Sequence, residues 1–230
     1  HIAVAVENLN VIQQFEGLSF LKDLNLVVQP MTHRAIFNLP VKAKYITYPD
    51  MDSISKWFGN ITGRDIKGVQ NRGTVSICAY YIAQRAMCSP ILFIGQDLAY
   101  RDGKRYAGNS AYSELKYTID ENGKVKYNAE ELFEKIGKTL GFTKEEYAQK
   151  IKHEESEITT TKGWNGETLV TTAAYSLFIN QYTDIVEMEL ADKEIRMINC
   201  SVGGAYIRGF EHMDFKEALT ECNLNHDIDF

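Results

Sequence analysis

Short apolar runs alternate with longer apolar or amphipathic stretches along the chain. Ile2–Val6, Leu24–Val28, Ala43–Tyr48, Pro90–Ile94 and Ile195–Cys200 are apolar runs of strand length. Their near-continuous Val, Ile, Leu and Phe character predicts strands buried on both faces, as in parallel sheets. Thr74–Cys88 is apolar nearly all round, through Val75, Ile77, Cys78, Tyr81, Ile82 and Met87, and predicts a buried helix. Thr168–Asn180 has the same character through Leu169, Val170, Ala173, Ala174, Leu177 and Phe178. Strands alternating with helices point to an α/β fold with a doubly wound, mostly parallel sheet.

Arg101–Glu157 breaks the alternation. It carries Asp120-Glu121-Asn122-Gly123, a turn signature, and then the charged amphipathic stretches Ala129–Leu140 and Lys144–Lys152. The segment reads as a helical insertion at residues 101–157, either a lid over the sheet's carboxyl edge or a solvated peripheral helical pair.

The chain has 230 residues, 44% of them hydrophobic and 24% charged, with 16 Gly and 4 Pro. That composition excludes collagen-like, mucin-like and disordered classes. A domain of this size removes roughly 70–75% of its unfolded surface from water, so residues 1–230 read as a single core without a disulfide or metal staple. The net charge of −6 argues against nucleic-acid and anionic-membrane partners. No apolar run approaches the ~20 residues that span a bilayer. Ile2–Val6 is too short for the apolar region of a secretory signal, and a start at His1 suggests a piece of a longer chain. Cys78, Cys88, Cys200 and Cys222 show no CxxC spacing and are expected to be buried, reduced thiols of a cytoplasmic protein.

Most chemistry-bearing signatures fail. Gly137-Lys138-Thr139 imitates a P-loop ending, but Leu132 stands where the upstream glycine belongs. His153-Glu154-Glu155 reads as a solvated helix face. Asp50-Met51-Asp52 imitates a metal-binding DxD, although acids at a helix start are its better reading. Better evidence lies at the ends of the strands, because open α/β sheets bind ligands outside their carboxyl ends. Pro90–Ile94 leads to Gly95, Gln96 and Asp97, and Ile195–Asn199 leads to Cys200, Ser201, Gly203 and Gly204. Gly73, Thr74 and Ser76 offer a similar turn and two hydroxyls before an apolar helix, echoed at Gly163–Thr168. Glycines at such points let backbone approach a ligand, and N–H groups of a following helix start receive an anion. Ordinary capping and tight turning would use the same residues. Asp97 stands out because a carboxylate at a buried strand's end is costly unless bonded or functional. A structural role in the loop Leu98–Gly103 would also account for it.

The block Pro90–Tyr100 with Gly-Gln-Asp-Leu-Ala-Tyr, then Asp102–Gly108, resembles the hallmark of the motility accessory factor glycosyltransferases. Gly73–Ser76 precedes it, and Gly166–Thr172 and Asn199–Gly209 follow in the family's order. Together these blocks cover most of Leu24–Leu219. The resemblance implies a Rossmann-like (sialyltransferase-like) sheet. It also implies transfer of a nonulosonic acid, of pseudaminic or legionaminic type, from a CMP-activated donor to Ser/Thr hydroxyls of flagellin. The chain departs from the family's pattern in carrying Val202 where an acidic residue usually precedes the Gly-Gly pair.

On this reading Asp97 is the base and His212 the second choice. Asn71, Gly73, Thr74, Ser76, Gly95, Gln96, Lys104, Asn199, Ser201, Gly203 and Gly204 hold the donor. No metal ligand is assigned, and a divalent cation (Mg²⁺ or Mn²⁺) is the one cofactor left open. The alternatives are a 6-hydroxymethyl-dihydropterin pyrophosphokinase using ATP and Mg²⁺, from the same superfamily, and a non-catalytic nucleotide-sugar-binding module.

Overall fold

All five apolar runs form strands in the computed structural model. It describes residues 1–8, 10–49, 53–64, 68–70, 72–100, 117–119, 121, 124–127, 129–138, 141–189 and 195–222. The fold is mixed α/β. Where the sequence reads as one core, the chain divides into two compact units, His1–Cys88 and Ser89–Phe230.

The first unit holds β1 (Ile2–Ala5), β2 (Asn25–Val28), α1 (Arg34–Phe37), β3 (Ala43–Ile46), α2 (Ser53–Thr62) and α3 (Val75–Arg85). Its strands pair in parallel in the order β1-β2-β3, with Asn25 opposite both Ile2 and Ala43. Ala5, Leu26 and Val28 pack with Ile36 and Leu39 into its core. Burial on both faces holds for β2 and fails for β3, where Tyr45 and Ile46 are exposed. A strand with one neighbour has less of the sheet and its covering layers around it. Helix α3 buries Ile77, Cys78, Tyr80 and Tyr81, but burial all round fails, since Val75 at its start and Met87 just past its end are exposed. Burial pushes the Cys78 thiol up to about 11, against a smaller opposing effect of Arg85. Cys88, by contrast, is exposed, and none of the four cysteines is disulfide-bonded.

The second unit runs β4 (Ile91–Phe93), β5 (Tyr117–Ile119), β6 (Val125–Tyr127), α4 (Ala129–Leu132), α5 (Lys144–Ser156), β7 (Ile158–Lys162), β8 (Thr168–Thr172), α6 (Ala173–Asp184), β9 (Met197–Asn199), β10 (Glu211–His212) and α7 (Phe215–Glu221). Strand β9 lies between β10 and β4, parallel to both, with Phe93 opposite Asn199. Phe93, Tyr182 and Phe210 meet at ring-centroid distances of 5.1–5.5 Å above this sheet. On another face of the unit, Ile198, Cys200 and Ala218 pack together with Leu92 and Met213. Arg196 joins Glu211 at 2.5 Å and Glu221 at 2.6 Å, tying β10 and α7 to the start of β9.

Two expectations change here. The described part of 101–157 is only partly helical, because β5 and β6 form an antiparallel hairpin before α4. Helix α5 does form, closed by a Thr143–Glu146 capping box. Its Glu155, expected to be solvated, accepts from the Tyr127 N–H at 2.8 Å and satisfies the edge of β6. Thr168–Asn180 is not one helix. Thr168–Thr172 pairs with Ile158–Lys162 as an antiparallel hairpin, and α6 starts only at Ala173. Both hairpin strands are rich in β-branched residues, which favour the pleated surface. The Thr172 hydroxyl then accepts from Tyr175 N–H and starts the helix. Among the described residues no helix is long and apolar enough to cross a membrane.

Candidate functional site

The carboxyl ends of β4 and β9 lie side by side, so the segments after them cross. Gln96 N–H donates to Ser201 Oγ at 2.7 Å, and Ala205 N–H donates to the Asp97 carbonyl at 2.7 Å. Ser201 N–H in turn donates to Asn199 Oδ1 at 3.0 Å. Two expected sites, Gly95–Asp97 and Asn199–Gly204, are therefore one place in the fold. Gly204 is required by that crossing, since a Cβ there would stand 2.8 Å from both Asp97 Cα and the Asp97 carbonyl oxygen. Gly204→Ala is expected to cost about 1–3 kcal/mol as an overpacked contact. Hydrogen exchange at the Ala205 amide reads it, and unchanged protection would show that the two loops do not touch.

Gly95 at φ 71° and Leu98 at φ 49° both take the left-handed conformation, on either side of Gln96-Asp97. A leucine rarely adopts it without support. Here its carbonyl accepts from the buried Thr171 hydroxyl at 2.7 Å, and Tyr100 N–H donates to Val170 at 2.7 Å. Leu98, Ala99 and Tyr100 are buried while Asp97 is exposed. The cost of a buried carboxylate therefore does not apply to Asp97, and its place at the crossing is what recommends it.

The loops differ from expectation in their donors. No helix follows Gly95 or Gly204 directly; α7 starts after the neighbouring strand β10, and its start is capped by Asp214, which accepts from Lys216 N–H. Most of the N–H groups are consumed internally: Gln96 by Ser201, Gly204 by the Ser201 carbonyl, Ala205 by Asp97 and Tyr206 by Lys162. Among the described residues, the N–H groups of Gly95 and Gly203 have no protein acceptor. Ser201 and Gln96 thus build the site. Asn199 is wholly buried, and because its oxygen accepts from Ser201 N–H, its Nδ2 is left without a partner among the described residues. A buried unsatisfied donor costs about 1–3 kcal/mol, so this amide calls for an acceptor oxygen.

The turn of the β7–β8 hairpin completes the edge, and sequence reasoning did not assign it chemistry. Gly163 bridges Ala205, Trp164 N–H donates to the Gly204 carbonyl at 3.0 Å, and Tyr206 N–H donates to the Lys162 carbonyl at 2.8 Å. The signal was the pair Gly163 and Gly166 around Trp164-Asn165, noticed only as an echo of Gly73–Thr74.

His212 serves this loop. Its Nε2 accepts from Ile207 N–H at 3.1 Å, which leaves Nδ1 to donate to the Phe210 carbonyl at 3.1 Å. Both nitrogens of the neutral ring are engaged by backbone, and the acceptor lone pair a base would need is in use. Burial pulls the pKa of His212 down, partly opposed by its bond to Phe210. The unfolded chain therefore protonates first, near pH ~6.5, and acidification below that removes stability until the folded value is passed. Thermal melts between about pH 7.5 and 5 should show this loss for the wild type and a smaller one for His212→Asn. Equal slopes would refute the assignment.

In the first unit, described by itself, Arg72 and Gly73 take φ 43° and 83° before α3. The Thr74 hydroxyl does not cap the helix and instead pairs with the Ser76 hydroxyl at 3.0 Å. Asn71, Lys104 and the acids Asp50 and Asp52 lie outside the described residues. Among those described, no three His, Cys, Asp or Glu side chains gather as metal ligands. Comparison with known proteins finds no matching family model, no matching curated protein and no matching solved structure.

Proposed function

We propose that the chain is a cytoplasmic glycosyltransferase that moves a nonulosonic acid from a CMP-activated donor to a Ser/Thr hydroxyl of flagellin. The reading draws on the motif resemblance. On the structural side one observation carries it: Asp97 stands exposed where the loops after β4 and β9 cross, beside the N–H groups of Gly95 and Gly203. It rests on the second unit alone. The parallel strands would then belong to a doubly wound, Rossmann-like arrangement.

In this chemistry the Asp97 carboxylate takes the proton of the acceptor hydroxyl as the new C–O bond forms at the sugar's reacting carbon. The bond from that carbon to the phosphate oxygen breaks, and its electron pair leaves with CMP. Gly95 and Gly203 N–H donate to the oxygen on which charge develops, and the Asn199 amide offers a further donor at the base of the loop. Val202, 43% exposed in this same loop, supplies no acid.

Calorimetric titration with CMP and with ATP–Mg²⁺ tests the reading. CMP is expected to bind without an obligatory metal. ATP binding that depends on Mg²⁺, with no response to CMP, would overturn it in favour of pyrophosphoryl transfer.

A further inference from the structure

We infer that Lys162 is the cation of an oxyanion subsite at this edge, taking a carboxylate or phosphate group of a small-molecule ligand. The side chain sits at the end of a packed column. His212, held at both nitrogens by backbone, stacks on Tyr206 at 4.8 Å between centroids and 17° between planes. Lys162 Nζ lies over the Tyr206 ring at 5.0 Å from its centroid. Trp164 packs edge-on to His212 at 5.7 Å. The backbone is equally constrained, since the Lys162 carbonyl accepts from Tyr206 N–H and Trp164 N–H donates to Gly204.

An exposed lysine ordinarily samples many rotamers, and ordering it costs binding free energy. Here much of that ordering is done before any ligand arrives. Lys162 is exposed to solvent and has no carboxylate partner among the described residues. Its column stands on the segment 204–207, which the Asp97 carbonyl holds at the carboxyl edge of the parallel sheet. A preordered ammonium with no ion-pair partner among the described residues, at the edge where open α/β sheets take ligands, matches an oxyanion. The identity of that ligand as a sugar acid or its CMP donor rests on the transferase reading, whereas the subsite does not.

The chain's two tryptophans are Trp57 and Trp164, so a Trp57→Phe background leaves Trp164 as reporter. In it, CMP, N-acetylneuraminic acid and inorganic phosphate are titrated separately. At least one is expected to change Trp164 fluorescence below ~10 mM. Lys162→Ala should weaken that binding about tenfold or more and flatten its salt dependence, while Lys162→Arg retains it. Lys216→Ala, an exposed lysine on α7, should leave it unchanged. Response to CMP and phosphate, or to the sugar acid, tells which group is held. Unaltered affinity in Lys162→Ala, or no response to any of the three probes, overturns the subsite. Lys162-dependent binding of phosphate or the sugar acid without any CMP response would sustain it while the transferase reading falls.

Discussion

Asp97→Asn is expected to lower the rate of sugar transfer by about 10²–10⁴-fold, the usual worth of a positioned general base. The substitution leaves the backbone contact of the crossing in place. Asp97 holds the crossing through its backbone carbonyl, which accepts from Ala205 N–H whatever the side chain. Its side chain is exposed, so the amide creates neither a cavity nor a buried unsatisfied group. CMP affinity should stay close to that of the wild type, giving a fall in kcat with little change in donor binding. A near-normal transfer rate in a folded variant would remove Asp97 from the mechanism.

Gly209→Ala should produce the largest loss of stability. Gly209 has φ +86°, where an alanine costs about 1–2 kcal/mol, and its new Cβ would stand 2.5 Å from Val186 Cγ1. Valine is stiff, so the overlap adds about 1–3 kcal/mol. Together these give ~2–5 kcal/mol, or roughly 4–20 °C in Tm for a chain of this size. The double variant Val186→Ala/Gly209→Ala should recover the overlap and keep the backbone cost, a separation that a mutant cycle measures. A Tm unchanged within about 1 °C would contradict the packing of Gly209 on the helical turn at Ile185–Glu189.

The effect should reach the site. Arg208 pairs with Glu187 at 2.8 Å, and the Phe210 carbonyl accepts from His212. Moving Gly209 therefore disturbs both the ion pair and the ring on which Tyr206 and Lys162 are stacked.

Much of the secondary structure was legible. Runs of Val, Ile and Leu marked β1, β2, β4 and β9, and a largely apolar pattern marked α3. Thr168–Thr172 was misread because Leu169, Val170, Ala173, Ala174 and Leu177 satisfy a helical period as readily as a strand followed by a helix. Its partner strand, Ile158–Lys162, decides between them, and no local window contains that pairing. Similarly, Glu155 looked solvated because the Tyr127 N–H that it satisfies belongs to another element.

The site was legible at its glycines. Gly95 and Gly203 adopt the left-handed turns expected of them, and Gly204 makes the close approach. Ser201 and Asn199 also tie the loop to itself and to Gln96, a role the sequence does not reveal because polar residues after a buried strand look alike whether they hold a ligand, a neighbouring loop or both. Lys162, Trp164 and Tyr206 went unassigned, since a lysine and two aromatics carry no signal until they are stacked.

Apolar period and turn chemistry act between residues a few positions apart, so the order of residues alone dictated the five apolar strands, helices α3 and α5 and the glycine-marked turns. Which turns meet was decided by hydrogen bonds such as Gln96 to Ser201, spanning 105 positions. Those bonds exist only once β4 and β9 are parallel neighbours. The same assembly exposed Asp97, engaged both nitrogens of His212 and seated Lys162 on Tyr206, because burial and protonation depend on atoms that sequence distance does not bring together.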